Sequence, residues 1–238
     1  MRIFLVALLA LAVGCKAKAA KPAGFVKHER MTKEKDLPFH FSWRNPNGDF
    51  ARYSKVYVAP VDTAHMLKMD WYKRGEAGAA GDFSRDLAQI AIKAREMMVE
   101  AFKKPAKGVA NRFTVVDKPT GADTLILELA IVEIVPSKAS LEAASWAMPT
   151  GTGVLLSPLN TSTAAMEGRY KDGKTGTELL TFADREGEKA RPIDLAGFTW
   201  YTHAKGIMKD WANQLVQVAN QKPGETVKDS KVFTLKPW

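Results

Sequence analysis

The sequence predicts a single α+β domain, in which a largely antiparallel sheet carries two helices packed on one face. Two segments have apolar residues at helical spacing, one near the middle of the chain and one near its end. Between them, several strand-like segments follow one another directly, which favours antiparallel pairing over strands that alternate with helices. The 238 residues contain no visible internal repeat, so one hydrophobic core is expected.

The first predicted strand and helix lie in the first half of the chain. Residues 54–61 (SKVYVAPV) are rich in β-branched side chains, which favours a strand. Asp82 is a good helix N-cap, and apolar residues recur at helical spacing from Phe83 to Ala101. Pro105 prevents further winding, so one amphipathic helix is predicted between these points.

Four further strands are predicted after this helix. Residues 112–117 and 123–135 are strand-like, and the second run is almost continuously apolar, which indicates a central strand covered on both faces. Residues 163–171 alternate between two faces and are followed by the turn residues 172–176 (DGKTG). Residues 177–184 then complete a predicted β-hairpin.

The closing element is a second amphipathic helix. Its apolar positions are Trp200, Ala204, Ile207, Met208, Trp211, Leu215 and Val218. We expect Trp200 and Trp211 to fill the core, although with Tyr201 they could instead line a ligand groove. Pro223 ends the helix, and residues 231–238 could add a short edge strand.

The amino terminus has the pattern of a bacterial lipoprotein signal. Arg2 precedes an apolar run over residues 3–13, which is shorter than the roughly 20 residues needed to span a bilayer. Residues 11–15 (LAVGC) resemble the lipobox, at which signal peptidase II cleaves before a cysteine that carries a diacylglyceryl group. The resemblance implies that residues 1–14 are removed and that Cys15 is lipidated. A plain signal peptide or a membrane helix is the alternative.

Lipidation of Cys15 would decide several other questions. It is the only cysteine, so the mature chain would have no thiol for a disulfide, a nucleophile or a metal site. The modification supplies more than one acyl chain, which makes an anchor stable. Residues 15–43 then form a flexible tether, and residues 44–238 form the folded domain. Lys16, rather than Asp, follows the cysteine, which by resemblance to enterobacterial sorting rules favours the outer membrane, with the domain facing the periplasm.

The formal net charge of +9 shows an excess of basic residues. In an exported protein, nucleic acid is not an expected partner for this charge. The lysines between residues 16 and 35 could bind anionic lipid headgroups, each contributing about 1 kcal/mol. The alternative is a solvated linker whose charges have no partner.

The residue types that usually carry out catalysis form no known motif. The histidines are His28, His40, His65 and His203, and they form no H-E-x-x-H pair or other zinc-binding spacing. The carboxylates on predicted strands are Glu128, Glu133, Glu167 and Glu178. These carboxylates could converge, but structural or solvent-facing roles are expected, since the sequence shows no acid–base pair. We therefore expect no metal site, no cofactor and no enzymatic activity.

One long segment departs from the ordinary composition, since residues 143–166 contain no charged side chain. Pro149 and Pro158 exclude a continuous membrane-spanning helix. A loop packed on the domain is one interpretation. A pore-lining hairpin is another, although it would need two cleanly alternating strands. The third interpretation is a contact with a partner protein, for which the candidate residues are Trp146, Val154, Leu155 and Leu156.

Three groups of residues resemble a known family. They are AGF at 23–25 before DFARYSKVYVAPV at 49–61, MEGRYKDGKTGTE at 166–178 leading into FADREG at 182–187, and DWA at 210–212. In this order and spacing they resemble the bacterial lipoproteins catalogued as domain of unknown function 3313, from about Gly24 to Leu215. The resemblance implies an envelope compartment and this architecture, but it brings no catalytic residues.

These features predict a non-enzymatic, lipid-anchored envelope lipoprotein that contacts another envelope protein. The predicted partners are the membrane, through Cys15, and that second protein. The alternative is a periplasmic module that binds a small ligand or the cell wall, which would require a pocket lined by exposed aromatic residues. A hydrolase would require a buried polar cluster.

Overall fold

The computed structural model describes residues 17–67, 83–136, 162–187 and 201–230. Within these ranges the chain forms six strands and two long helices, besides a short 3-10 helix at His28–Arg30. The strands are β1 (Phe41–Arg44), β2 (Lys55–Val58), β3 (Thr114–Val115), β4 (Thr124–Val135), β5 (Thr163–Asp172) and β6 (Glu178–Gly187). The helices are α1 (Phe83–Lys103) and α2 (Thr202–Asn220).

The strands form one sheet in the order β1-β6-β5-β4-β2-β3. β5 is antiparallel to both β4 and β6, and β1 is antiparallel to β6. β2 is parallel to β3 and to β4. Parallel neighbours need a crossover connection, and α1 lies in the connection between β2 and β3. The predicted α+β class with a largely antiparallel sheet is therefore confirmed.

Both helices pack with the sheet into one large core. α1 and α2 contact each other, α1 contacts β2 and β3, and α2 contacts β5. The hydroxyl of Tyr170 on β5 donates to the carbonyl of Leu215 on α2 at 2.9 Å. The expectation that Trp211 fills the core is confirmed, because only 1% of this residue is exposed. Burial of a large apolar side chain contributes about 1.5–3 kcal/mol, so this interface holds much of the domain's stability.

The tightest packing in the sheet occurs at Gly168 on β5. A Cβ atom at this position would lie 2.4 Å from Cζ of Phe182 and 2.7 Å from Cδ2 of Leu129. The ring of Phe182 is itself stacked on Phe39, with 4.5 Å between ring centroids. Glycine is required here because the aromatic ring fills the space that any side chain would take.

The turn between β5 and β6 is organised by the buried carboxylate of Asp172. It accepts hydrogen bonds from the backbone N–H groups of Lys174 (2.9 Å) and Thr175 (2.6 Å) and from the hydroxyl of Tyr53 (2.7 Å), and it forms an ion pair with Arg52. Burial alone would raise the pKa of Asp172, but these donors hold it well below its ordinary value of 3.8. Burial and the bond to Asp172 raise the pKa of Tyr53 to about 12.

The second face of the sheet is covered by residues 17–32, which we call the amino-terminal segment. Ala20 and Ala23 pack on a cluster of small apolar residues in β4 and β5. Phe25 contacts that cluster and a second one near β6, where Trp43 of β1 also packs. Both faces of the central strands are thus buried, which is why residues 123–135 are almost continuously apolar.

The prediction of a flexible tether over residues 15–43 is wrong for the part that the structure describes, residues 17–43. Alanine, lysine and glycine in residues 16–24 suggest a linker by composition, but small alanines also allow a backbone to lie close against a sheet. The side chains of Lys18 and Lys21 remain exposed while the chain between them is packed. The packed part of the chain therefore includes residues 17–43 as well as the predicted domain from residue 44.

The remaining differences concern short elements. The sequence does not predict β1, because four residues of mixed polarity give no periodic signal. Cys15, the predicted edge strand at 231–238 and the candidate contact residues Trp146, Val154, Leu155 and Leu156 lie outside the described residues. No helix among the described residues is long and apolar enough to cross a bilayer.

Candidate functional site

The carboxylate of Glu167, on the second face of the sheet, contacts four donor groups of the amino-terminal segment. It lies in the middle of β5, paired with Ala130 of β4 and Ala183 of β6, and the residue is 1% exposed. Oε1 accepts the backbone N–H of Ala23 at 2.6 Å and lies 2.8 Å from Nε2 of His28. Oε2 accepts the N–H groups of Phe25 at 2.8 Å and Val26 at 3.1 Å.

Gly24 sets the backbone shape that surrounds this carboxylate. It has φ of +90°, a left-handed conformation that glycine adopts without strain. The turn directs the N–H groups on both sides of Gly24 at the carboxylate of Glu167. Successive N–H groups arranged in this way form an anion-binding concavity, and here the anion is a side chain of the same protein. Glu167 therefore fixes the amino-terminal segment to the sheet.

A second group of contacts holds the start of the amino-terminal segment and connects it with the opposite face of the sheet. Nε2 of His40 donates to the carbonyl of Ala17 at 2.6 Å, and Nδ1 lies 2.7 Å from Oδ1 of Asp184. The indole Nε1 of Trp211 donates to the other oxygen of Asp184 at 3.0 Å. The Asp184 side chain is fully buried, so one carboxylate connects the amino-terminal segment on one face with α2 on the other.

Ion pairs and aromatic rings complete the contact between the segment and the strands. Glu128 on β4 lies 2.6 Å from Nε of Arg169 and 3.1 Å from Nζ of Lys171. Burial alone would raise the pKa of Glu128, but these two cations lower it below its ordinary value. Arg169 also lies over the ring of Phe25, 4.7 Å from its centroid. Arg30 pairs with Glu178 and lies over the ring of Trp43.

The four strand carboxylates singled out from the sequence contact cationic side chains or backbone N–H groups, not one another. Glu128 and Glu178 both contact Arg169, Glu133 lies 2.7 Å from Arg185, and Glu167 holds the segment. These contacts are the kind that hold a strand to its neighbours or to a covering segment. Within the described ranges, no three histidine, cysteine or acidic side chains are placed to hold a metal ion.

A small cleft lies between the amino-terminal segment and the sheet. Its volume of about 10 Å³ is room for about one water molecule, and its polar lining comes from Lys21, His28, His40, Glu167 and Asp184. Pockets for small organic ligands usually have about 300–1,000 Å³, so this cleft is below the usual size.

The sequence singles out the carboxylate of Glu167 in this site but not the histidine and backbone groups that contact it. Glu167 stands among the candidate carboxylates, whereas His28 and His40 fall in the predicted tether, where no contact is expected. His28 lies 139 positions from Glu167 along the chain, and His40 lies 144 positions from Asp184. The only local signal is Gly24 followed by apolar Phe25 and Val26, which is the pattern of a turn that enters a packed segment.

Several solved structures resemble this one at low sequence identity. The PelC dodecamer from Paraburkholderia phytofirmans is 9% identical, with a TM-score of 0.39 over 76% of this chain and 97% of that one. Protein XCC0632 from Xanthomonas campestris, of family DUF330, is 9% identical, with a TM-score of 0.40 over 74% and 91%. Lipoprotein GNA1162 from Neisseria meningitidis is 16% identical, with a TM-score of 0.24 over 71% and 99%.

No curated protein matches the sequence. A family model does match it, over residues 21–215. The match includes most of the amino-terminal segment, the sheet and most of α2. The chain belongs to the family described as protein of unknown function DUF3313, as its motifs predict.

Proposed function

We propose that this chain is a non-enzymatic envelope lipoprotein, anchored by acyl chains on Cys15, that contacts another envelope protein. The observation that carries the proposal is the packing of the amino-terminal segment. Ala17, two residues after the cysteine of the lipobox-like sequence, is already bound to the domain by its hydrogen bond with His40. This packing supports an attachment point directly on the domain.

The charges of the second face support a structural role rather than catalysis. A general acid or base must be able to reach a substrate proton. Glu167 is instead surrounded by the segment, and Asp184 lies between His40 and Trp211. In the part of the chain that the structure describes, the buried polar cluster that a hydrolase would need is used to hold the segment to the sheet.

We assign the partner contact to the part of the uncharged segment 143–166 that precedes β5, with the candidate contact residues Trp146, Val154, Leu155 and Leu156, because Ala164, Ala165 and Met166 of β5 are buried. The centre of a protein interface is depleted of charged residues, which matches the lack of charge in this segment. The alternative of a small ligand would use the cleft beneath the amino-terminal segment. Its volume of about 10 Å³ is far below that of a small-ligand pocket and favours the protein contact over the ligand.

Two experiments test this proposal separately. Metabolic labelling with palmitate and intact mass measurement of the wild type and a Cys15→Ala variant test the anchor. We expect acylated wild type in the membrane fraction and an unlabelled variant, and an unlabelled wild type would exclude the anchor. Mild crosslinking and pull-down from whole cells, followed by mass spectrometry, test the partner.

The crosslinking experiment compares two variants with the wild type. Replacing Val154, Leu155 and Leu156 with serine should remove one abundant crosslinked envelope protein. Ile92→Ser is the control, since Ile92 is an apolar residue of α1 that is 52% exposed. If the wild type yields no partner, or if both variants lose it equally, the contact is not made by residues 154–156.

We place the anchor in the outer membrane because Lys16 follows Cys15. In gradient fractionation of cell envelopes, the wild type should separate with the outer membrane and a Lys16→Asp variant with the inner membrane. An inner-membrane location of the wild type would exclude this assignment.

A further inference from the structure

We infer that the edge of the sheet where β4 and β6 end and β5 begins lies against the bilayer surface. This inference rests on the proposed acylation of Cys15 and concerns how the anchored domain is oriented. We call this edge, with Ala17 and Lys18 beside it, the membrane-proximal edge. Its strand ends are Val135, Thr163 and Gly187, and Thr163 pairs directly with the other two.

The length of chain outside the fold limits how far this edge can be from the membrane. The carbonyl of Ala17 accepts a hydrogen bond from His40, and the carbonyl of Lys18 accepts one from Arg185 at 3.4 Å. Only Lys16 separates Ala17 from Cys15. An extended chain spans about 3.3–3.6 Å per residue, so Cys15 and Ala17 are at most about 7 Å apart.

That distance is comparable with the headgroup layer itself. A bilayer is about 40–45 Å thick and its hydrocarbon core about 30 Å, which leaves roughly 5–8 Å of headgroups on each side. Acyl chains on Cys15 must enter the hydrocarbon core, so the fixed part of the chain at Ala17 lies at the headgroups. A tether of this length cannot hold the domain away from the membrane.

The sheet then determines which residues face the bilayer. Arg185, which contacts Lys18, is two residues from the end of β6 at Gly187. β5 has ten residues at about 3.3 Å each, so its far end at Asp172 lies about 30 Å from Thr163. The turn at Lys174 is therefore on the side of the domain that faces away from the membrane.

The charge of the anchored end fits an anionic lipid surface. Lys16 follows the cysteine, and Lys18 and Lys21 are both exposed. Each basic residue near anionic headgroups contributes about 1 kcal/mol to binding. Val135 and Thr163, between which residues 143–161 lie in the sequence, are paired at the membrane-proximal edge.

Fluorescence quenching on vesicles tests this orientation. The full chain is expressed with lipoprotein processing, and acylation of Cys15 leaves no free thiol in the wild type. A single thiol is introduced by Lys18→Cys or by Lys174→Cys, two exposed positions at opposite ends of the domain. Each labelled protein is reconstituted into vesicles of phosphatidylethanolamine and phosphatidylglycerol that contain a lipid with a quencher on its headgroup.

We expect strong quenching of the label at position 18 and quenching at position 174 close to that in vesicles without the quencher. Equal quenching at the two positions, or stronger quenching at position 174, would overturn the orientation while the acylation stands. Intact mass measurement of the same samples reports acylation separately. If Cys15 is not acylated, the proposed anchor fails and this inference fails with it.

Discussion

Replacement of Glu167 with glutamine should release the amino-terminal segment from the sheet. The carboxylate offers two oxygens, and each faces two donors: Ala23 and His28 at one, Phe25 and Val26 at the other. Glutamine has the same shape but only one oxygen. Its NH₂ group would face two donors, so two hydrogen bonds to a charged acceptor are lost.

The size of the effect follows from the kind of bonds lost. A hydrogen bond to a charged group contributes about 1.5–3 kcal/mol, so the loss of two should weaken the attachment by about 3–6 kcal/mol. The free energy of global unfolding should fall by less, because the segment can detach while the sheet and helices remain folded. The large core between the sheet and the two helices contains neither Glu167 nor its four donors.

Hydrogen exchange at the backbone amides of Ala23, Phe25 and Val26 measures the attachment directly. A loss of about 3 kcal/mol corresponds to exchange that is faster by roughly 100-fold, since each 1.4 kcal/mol is a factor of ten. Glu29→Gln is the control, because Glu29 lies in the same segment with its side chain exposed. If exchange at these three amides is the same in Glu167→Gln, Glu29→Gln and the wild type, Glu167 does not hold the segment.

Three further substitutions test other parts of the structure by urea unfolding. Gly168→Ala should destabilise the domain by about 1–3 kcal/mol, because the new methyl group overlaps the ring of Phe182. The pKa of Asp172 is lower in the folded than in the unfolded chain, so its charge stabilises the fold above the ordinary value of 3.8, and this stabilisation is lost as the pH falls below it. Asp172→Asn should therefore be less stable at neutral pH, and its stability should fall less than that of the wild type between about pH 4 and 2. Trp211→Phe should cost about 1–3 kcal/mol, because it removes the N–H donated to the buried carboxylate of Asp184.

Each of these three predictions has a result that would contradict it. Gly187→Ala is the matched control for position 168, since a Cβ there meets only a carbonyl oxygen at 4.0 Å, and equal effects at both positions would exclude the overlap. An unchanged pH dependence in Asp172→Asn would mean that other carboxylates determine acid stability. Unchanged unfolding of Trp211→Phe would mean that its hydrogen bond to Asp184 contributes nothing measurable.

The elements with strong periodicity could be predicted from the sequence. α1 is predicted from Asp82 onward and observed from Phe83, and β4 is predicted at 123–135 and observed at Thr124–Val135. The hairpin of β5 and β6 is also predicted, because the turn residues between them are specific. In these cases the apolar periodicity or the turn residues lie within a short stretch of the chain, so one sequence is enough to predict the element.

The amino-terminal segment could not be predicted, because its contacts carry no local signal. Three of the four donors to Glu167 are backbone N–H groups, which every residue except proline has. The contact joins positions more than 140 apart along the chain. Glu167 lies in a run that alternates between two faces, so by sequence alone it could equally face solvent. Its burial, and therefore its need for a partner, becomes visible only when the amino-terminal segment covers that face.

In the proposed anchored protein, the packed segment sets how far the domain can lie from the acyl chains. With the segment bound, only Lys16 lies between Cys15 and Ala17, and the membrane-proximal edge lies within about 7 Å of the anchor. Detachment of the amino-terminal segment would free residues 16–32, and a flexible chain of 17 residues has an average extension of about 20–25 Å. Phe39, which is buried against Phe182, keeps the following residues in the core. A force that separates the domain from the proposed anchor would therefore act first on the contacts of the segment, which include those at Glu167 and between His40 and Ala17.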